Sequence, residues 1–184
     1  DAGPLGRLRP DLDRGEFGQP LFLAGFEQQG PRAVPVDGSA TVWQCVEKSA
    51  AKFSNRNAVG SRELVKVHMI EEGGRKFEKL ELKNEYSWLT YRQYLERIVD
   101  AASGLQAITG LPENGRVVIY AETQCDWMVS AIAAFRMSCQ VVTIYATLGR
   151  DGALFGFQQT RASVAVVDAK LLKVLVEIAA ECEC

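Results

Sequence analysis

The chain has 184 residues, enough for one domain with or without a tail. It is 47% hydrophobic and 24% charged, so it can build a core, and composition excludes intrinsic disorder. The 21 basic residues nearly balance the 23 acidic ones, and no basic run occurs, so there is no electrostatic footprint for nucleic acid.

Five cysteines, Cys45, Cys125, Cys139, Cys182 and Cys184, are odd in number and irregular in spacing. That fits a reducing compartment better than a disulfide framework. The first residues carry no basic-then-apolar signal pattern. No run of 18 apolar residues exists, and Lys173 and Glu177 interrupt the most apolar candidate at 171–180. The chain starts at Asp1 rather than Met and both ends read as cut, so a fragment of a longer polypeptide is expected.

Residues 1–38 are rich in Gly, Pro and Arg and lack periodicity, which predicts an irregular lead-in. Residues 21–23 and Phe26 are available to pin it to the body. A helix is expected from Ser39, capped by Ser39 or Thr41, with Val42, Cys45, Val46, Ser49 and Phe53 as its buried stripe. Asn55 and Asn57 end it, and Ala58, Val59 and Gly60 make a short strand. Imperfect alternation over 63–70, then Gly73 and Gly74, then Phe77, Leu80, Leu82, Tyr86 and Trp88 predict a hairpin or small meander between 60 and 89.

Thr90 and Gln93 form a capping box. The helix that follows carries Leu95, Ile98, Val99, Ala102, Leu105 and Ile108 at helical spacing, and Gly110 and Pro112 stop it. After an Asn114–Gly115 turn, the apolar run at 117–121 is continuous, as a strand covered on both faces requires. Thr123 and Asp126 suggest a second capping box, with Trp127, Ala131, Ala134 and Phe135 turned inward. A strand at 141–145 follows, then a helix capped by Thr147 with Leu154, Phe155 and Phe157 inward. A third strand at 163–167 leads to a last helix capped by Asp168, with Leu171, Leu172, Leu175, Val176 and Ile178. Strands alternating with helices of this length predict an α/β fold: a parallel sheet with βαβ crossovers, plus a small antiparallel β excursion.

Chemistry-bearing residues are few. Gly149 to Gly152 is too short for a phosphate loop and lacks the Lys, so it reads as a helix start. His68, the single histidine, sits in a β segment with no Ser or Cys at triad spacing. The Cys182 and Cys184 pair could suggest a soft metal site, but no second pair completes a tetrahedral set. Glu122 and Asp168 follow the carboxyl ends of two strands, where open parallel sheets bind ligands. They could hold Mg²⁺ or a ribose, or could simply be carboxylates favoured at helix N-termini. Trp127 could line a pocket or belong to the core. A receiver or flavodoxin-like binding module fits this outline equally well, although no strand ends in paired Asp residues.

Residues 41–175 resemble the N-terminal region of the long-chain fatty acid–CoA ligases of the adenylate-forming superfamily. Thr41 to Trp43, Lys52 and Phe53, and Asn57 to Glu63 resemble that family's opening helix and strand. Tyr86, Trp88 and Tyr91 resemble its lead into a long helix, and Gly104–Leu105 with Gly110–Leu111 resemble the ends of that helix. Glu122, Thr123, Asp126, Trp127 and Met128 resemble "Glu-Thr-Arg-Ala-Glu/Asp-Trp-Met". Val141 to Gly149 is nearly the family's "Val-Val-Thr-Leu-Tyr-Ala-Thr-Leu-Gly". Departures stand at Arg150–Asp151 and at Gln158 to Arg161, where the family carries acidic residues.

The resemblance implies an irregular segment at 1–38 and, at 39–184, the N-terminal part of an AMP-dependent synthetase/ligase domain, incomplete at its C-terminus. For the full-length enzyme it implies ATP-dependent activation of a fatty acid, with ATP, Mg²⁺ and CoA, at the cytosolic face of the endoplasmic reticulum or a related membrane. Membrane association would come from regions outside this chain. The family's Thr/Ser/Gly-rich loop ending in Pro-Lys, its ribose-binding Asp and its C-terminal Lys have no counterpart in residues 1–184. No catalytic, cofactor-binding or metal residue is therefore carried over, and the chain by itself is expected to be inactive and to bind no cofactor. A non-enzymatic α/β binding or scaffold module is the alternative.

Overall fold

The computed structural model describes residues 6–8, 21–23, 35 and 37–182. The chain divides into two units, Asp1–Ala40 and Thr41–Cys184. In the first, β1 (Gly6–Leu8) pairs antiparallel with β2 (Leu21–Leu23), so this glycine- and proline-rich stretch holds a short ladder where an irregular lead-in was expected. Asp37 accepts hydrogen bonds from the Ser39 amide (3.0 Å) and hydroxyl (2.8 Å). The anchoring expected of Phe26 and the thiol of Cys184 lie outside the described residues.

The second unit opens with α1 (Val42–Phe53), where the Thr41 hydroxyl accepts from the Gln44 amide at 3.1 Å. Of the expected stripe, Cys45, Val46, Ser49 and Phe53 are partly buried and Val42 is exposed, while Trp43 and Ala50 also pack inward. β3 (Asn57–Ser61) pairs antiparallel with β6 (Ser87–Thr90), and between them β4 (Leu64–Glu72) and β5 (Arg75–Leu82) form a hairpin. Gly73 and Gly74 take φ of 59° and 74° at its turn, a conformation that side chains with a Cβ resist. At Gly60 the reason for glycine is space, since an added Cβ would lie 2.8 Å from the Trp88 ring.

Thr90 and Gln93 close the expected capping box on α2 (Tyr91–Thr109), and Gly110 ends the helix in the left-handed conformation. Tyr94, Ile98 and Ala102 are its buried residues, whereas Ile108, expected inside, is 86% exposed. β7 (Arg116–Tyr120) follows, and its side chains from Val117 to Tyr120 are fully buried. Then come α3 (Cys125–Arg136), β8 (Gln140–Ile144), α4 (Gly149–Thr160), β9 (Val164–Val167), a 3₁₀ turn (Ala169–Leu171) and α5 (Leu172–Ala179).

β7 lies at the centre of a parallel three-stranded sheet in the order β8-β7-β9. Its pleat sends Val118 and Tyr120 into one core with Ile144, Phe157 of α4 and Ile178 of α5. Val117 packs on the other face with Ala134 of α3, Leu111 and Cys139. A third cluster joins α1, α2 and α3 through Val46, Tyr94, Ile98, Val129 and Ile132. The architecture is α/β with a parallel sheet and small antiparallel sheets, as expected.

Three of the expected caps are absent. Thr123 does not cap α3; Gln124 stands at that position with no side-chain cap, and the Asp126 carboxylate turns to Arg97 of α2 at 2.6 Å. Thr147 does not cap α4, which Leu148 precedes without a side-chain cap. Asp168 makes no cap hydrogen bond either, because both its oxygens are used elsewhere. Phe135, Tyr145, Phe155, Leu172 and Val176, expected inside, are exposed.

Candidate functional site

The chain leaves β7 through α3 to reach β8 on one side, then crosses through α4 to β9 on the other side. α3 and α5 pack on opposite faces of the sheet, so the loops after β7 and β9 diverge at the carboxyl ends of these neighbouring strands. That divergence makes a topological switch point, where open parallel sheets bind their ligands. A cleft of about 580 Å³ opens there. Glu122, Thr123 and Gln124 line it from the first loop, Asp168, Ala169 and Lys170 from the second, Arg62 from the link between β3 and β4, and Leu80 from β5.

Polar contacts join the two loops. The Asp168 amide donates to the Tyr120 carbonyl at 3.2 Å, which continues the β7–β9 pairing one step past the strands. Beyond that step, Asp168 Oδ2 accepts from the Glu122 amide at 2.8 Å, and Asp168 Oδ1 accepts from Gln124 Nε2 at 2.6 Å. Lys170 Nζ meets Glu122 Oε1 at 2.6 Å. The hydrogen bond that Lys170 donates to Glu122 raises the Lys170 pKa, with the charges of Glu122 and Asp168 adding and desolvation opposing, so the ammonium stays protonated. On the other wall, Arg62 donates to the carbonyls of Lys83 and, at 3.1 Å, Leu82, with its guanidinium 5.8 Å from the centre of the Tyr86 ring.

Glu122 and Asp168, singled out from the sequence as strand-end carboxylates, are thus brought together. Asp168 stands at the N-cap position of the 3₁₀ turn without a side-chain cap, its oxygens accepting from the Glu122 amide and from Gln124, and Glu122 is ion-paired with Lys170. Among the described residues, no group of three or more His, Cys, Asp or Glu side chains is placed to hold a metal. Lys170, Gln124 and Arg62 were missed by sequence reasoning. Lys170, two residues beyond Asp168 in the same loop, was the readable signal; Arg62 comes from a distant segment and had none.

The other sequence candidates lie elsewhere. His68 meets Glu81 across the β4–β5 hairpin, where both are exposed. Trp127 is half-buried on α3 and does not line the cleft. Gly149 and Gly152 fall in the first turns of α4, with Gly149 at φ 69°. Cys182 borders a separate pocket of about 310 Å³, mainly apolar, with Phe157, Val164 and Leu175.

The fold defines the class: a parallel α/β domain with a crevice at its switch point. Residues 48–184 match the sequence profile of a family described as AMP-binding enzyme, and the chain belongs to that family. It is 39% identical over 143 residues to "Long chain acyl-CoA synthetase 8" of Arabidopsis thaliana, covering 77% of this chain and 20% of that protein. It is 28% identical over 159 residues to "Long-chain-fatty-acid--CoA ligase 1" of Schizosaccharomyces pombe, covering 80% and 23%. The chain thus spans about a fifth of the length of these relatives. Among solved structures it is similar to the A-PCP didomain of carboxylic acid reductase from Segniliparus rugosus in complex with AMP. The TM-score is 0.64 at 17% identity, over 80% of this chain and 20% of that one. That likeness shows the fold.

Proposed function

We propose that this chain is part of an ATP-dependent long-chain fatty acid–CoA ligase, in which residues 39–184 form the N-terminal part of the adenylating domain and residues 1–38 precede it. The observation that carries the reading is the 39% identity over 143 residues to a protein named as a long-chain acyl-CoA synthetase. The family-like wording of 141–149 supports it.

In the whole enzyme a fatty acid carboxylate oxygen attacks the α-phosphorus of ATP, and the bond to the departing pyrophosphate breaks. The CoA thiolate then attacks the acyl carbon of the adenylate, and AMP leaves with the electron pair of the C–O bond. The rate enhancement of such transfers depends on oriented cations and backbone donors around the reacting group. This chain contributes a wall of the cleft, and no catalytic, cofactor-binding or metal residue is assigned to it. Mg²⁺, implied alongside ATP, is left to other parts of the enzyme. The proposed location is the cytosolic face of the endoplasmic reticulum or a related membrane. Among the described residues no helix is long and apolar enough to cross a membrane, so attachment would come from outside this chain.

The test is product analysis. The full-length gene product, given a long-chain fatty acid, ATP, Mg²⁺ and CoA, should form acyl-CoA and AMP in equal amounts. Formation of ADP instead, or no thioester with any fatty acid, would overturn the reading.

A further inference from the structure

We propose that Asn114 and Gly115 form a site of spontaneous covalent modification: an imide closes between them, its hydrolysis leaves isoaspartate at position 114, and the start of β7 is thereby unpinned from β8. The fold both requires this pair and slows its reaction. The proposal stands independently of the ligase reading. Asn114 is the one asparagine of the chain that precedes a glycine; Asn55, Asn57 and Asn84 precede Arg56, Ala58 and Glu85. The turn into β7 explains both residues. The Gly115 amide donates to the Pro112 carbonyl at 2.9 Å, closing a turn whose third residue, Asn114, has φ 62°. That position favours glycine or asparagine, since few other residues tolerate positive φ. A Cβ at position 115 would lie 2.5 Å from Leu111 Cγ and 2.8 Å from the Pro112 carbonyl oxygen, and Leu111 is buried, so glycine is needed there.

Asparagine before glycine is chemically labile, because no side chain shields the glycine amide. The Gly115 nitrogen attacks Asn114 Cγ to form the imide; the bond from Cγ to the side-chain NH₂ breaks, and ammonia leaves with the proton lost by the amide. Water then opens the imide at either carbonyl. Attack at Cγ gives aspartate with the main chain intact. Attack at the backbone carbonyl leaves a free carboxylate on Cα and routes the main chain through Cβ and Cγ. No oxidant or reductant takes part, and Asn114 is exposed to the water the second step needs. In the folded chain the attacking nitrogen is held: its N–H is given to Pro112, the Asn114 amide donates to the Ser138 carbonyl at 2.8 Å, and the Gly115 carbonyl accepts from the Gln140 amide at 2.8 Å. The turn must open before the ring can close. Isoaspartate then inserts Cβ into the main chain between the Ser138 and Gln140 contacts, so both cannot be kept with Arg116 in register against Gln140.

The experiment incubates the full-length gene product in mildly alkaline buffer, folded or unfolded in urea. Mass spectrometry follows the tryptic peptide 98–116, and labelling by an isoaspartate carboxyl methyltransferase separates isoaspartate from aspartate. Asn114 should convert in urea, mainly to isoaspartate, and the folded protein should convert at least about tenfold more slowly. Asn84, exposed and followed by Glu85, is the internal control and should stay unconverted over the same time. Leu111→Ala, which removes the side chain packed against Gly115, should speed the folded reaction; if that variant does not fold, the wild-type comparison decides alone. Amide hydrogen exchange reads the consequence. The Gln140 amide should lose protection in the isoaspartate form and keep it in Asn114→Asp, which adds the charge without the extra main-chain carbon. The proposal is overturned by equal rates in folded and unfolded protein, by conversion of Asn84 as fast as Asn114, by aspartate as the sole product, or by a Gln140 amide still protected in the isoaspartate form.

Discussion

Gly60 and Tyr94 each show how one atom sets a local balance. A Cβ at Gly60 would sit 2.8 Å from the Trp88 ring, which stacks on Tyr86 at 5.4 Å between centroids. Trp88 is half-exposed, so it can swing outward at the expense of that stack. Gly60→Ala should therefore destabilise by about 1 kcal/mol, read from the urea midpoint, and should shift the Trp emission. The Tyr94 hydroxyl is buried without a hydrogen-bond partner among the described residues, a cost phenylalanine would not carry. Tyr94→Phe should be neutral or stabilising by up to about 1 kcal/mol in the same measurement.

Burial, with the neighbouring Cys125 thiol adding, pushes the Tyr94 pKa from 10 up to about 12. An unfolded chain loses this proton near pH 10, while the folded chain holds it. The contribution is therefore fully present below pH 10 and is lost as pH rises through about 12. The thiols of Cys125 and Cys139, also raised by burial, act in the same direction from their ordinary value of 9. Alkaline unfolding midpoints should show a shallower decline in Tyr94→Phe than in wild type. An equal decline would assign the loss to other groups.

Among the elements, α2 was the most legible in the sequence, because its start and stop are both written in local chemistry. Its Thr90–Gln93 box is reciprocal, with the Gln93 amide donating to the Thr90 hydroxyl at 3.3 Å and the Gln93 side chain accepting from the Thr90 amide at 2.9 Å. Thr90→Ala should cost about 1 kcal/mol, measured by thermal or urea unfolding. Thr123 offered the same lettering and failed, because Arg97 draws the Asp126 carboxylate to another helix, a partner no local window contains. The β7 strand was readable from its unbroken apolar run, but the order β8-β7-β9 was not, since periodicity says which residues are buried and not which strand lies beside which. Glu122 and Asp168 were legible as strand-end carboxylates. Their contact with one another was not, because it follows from that strand order. Ile108 and Val176 fit helical spacing yet face outward, as the described residues place no packing partner over those last turns. The β4–β5 hairpin was expected, but its apolar side chains at Val65, Val67, Met69 and Leu80 are exposed rather than buried.

For the molecule as a whole, that exposed hairpin combines with the outer edges of β8 and β9, which pair with β7 alone among the described strands. Exposed apolar strands and open edges favour association. Residues 1–184 expressed alone should therefore self-associate or precipitate; a monomeric, cooperatively melting chain in ultracentrifugation and thermal scans would count against that expectation. Family membership and fold agree with one another. The most direct measurement is fatty-acid-dependent exchange of labelled pyrophosphate into ATP by the full-length gene product, run without CoA. Exchange that appears only when a long-chain fatty acid is added is the predicted result. No exchange with any fatty acid, from protein shown to be folded, would contradict the ligase assignment.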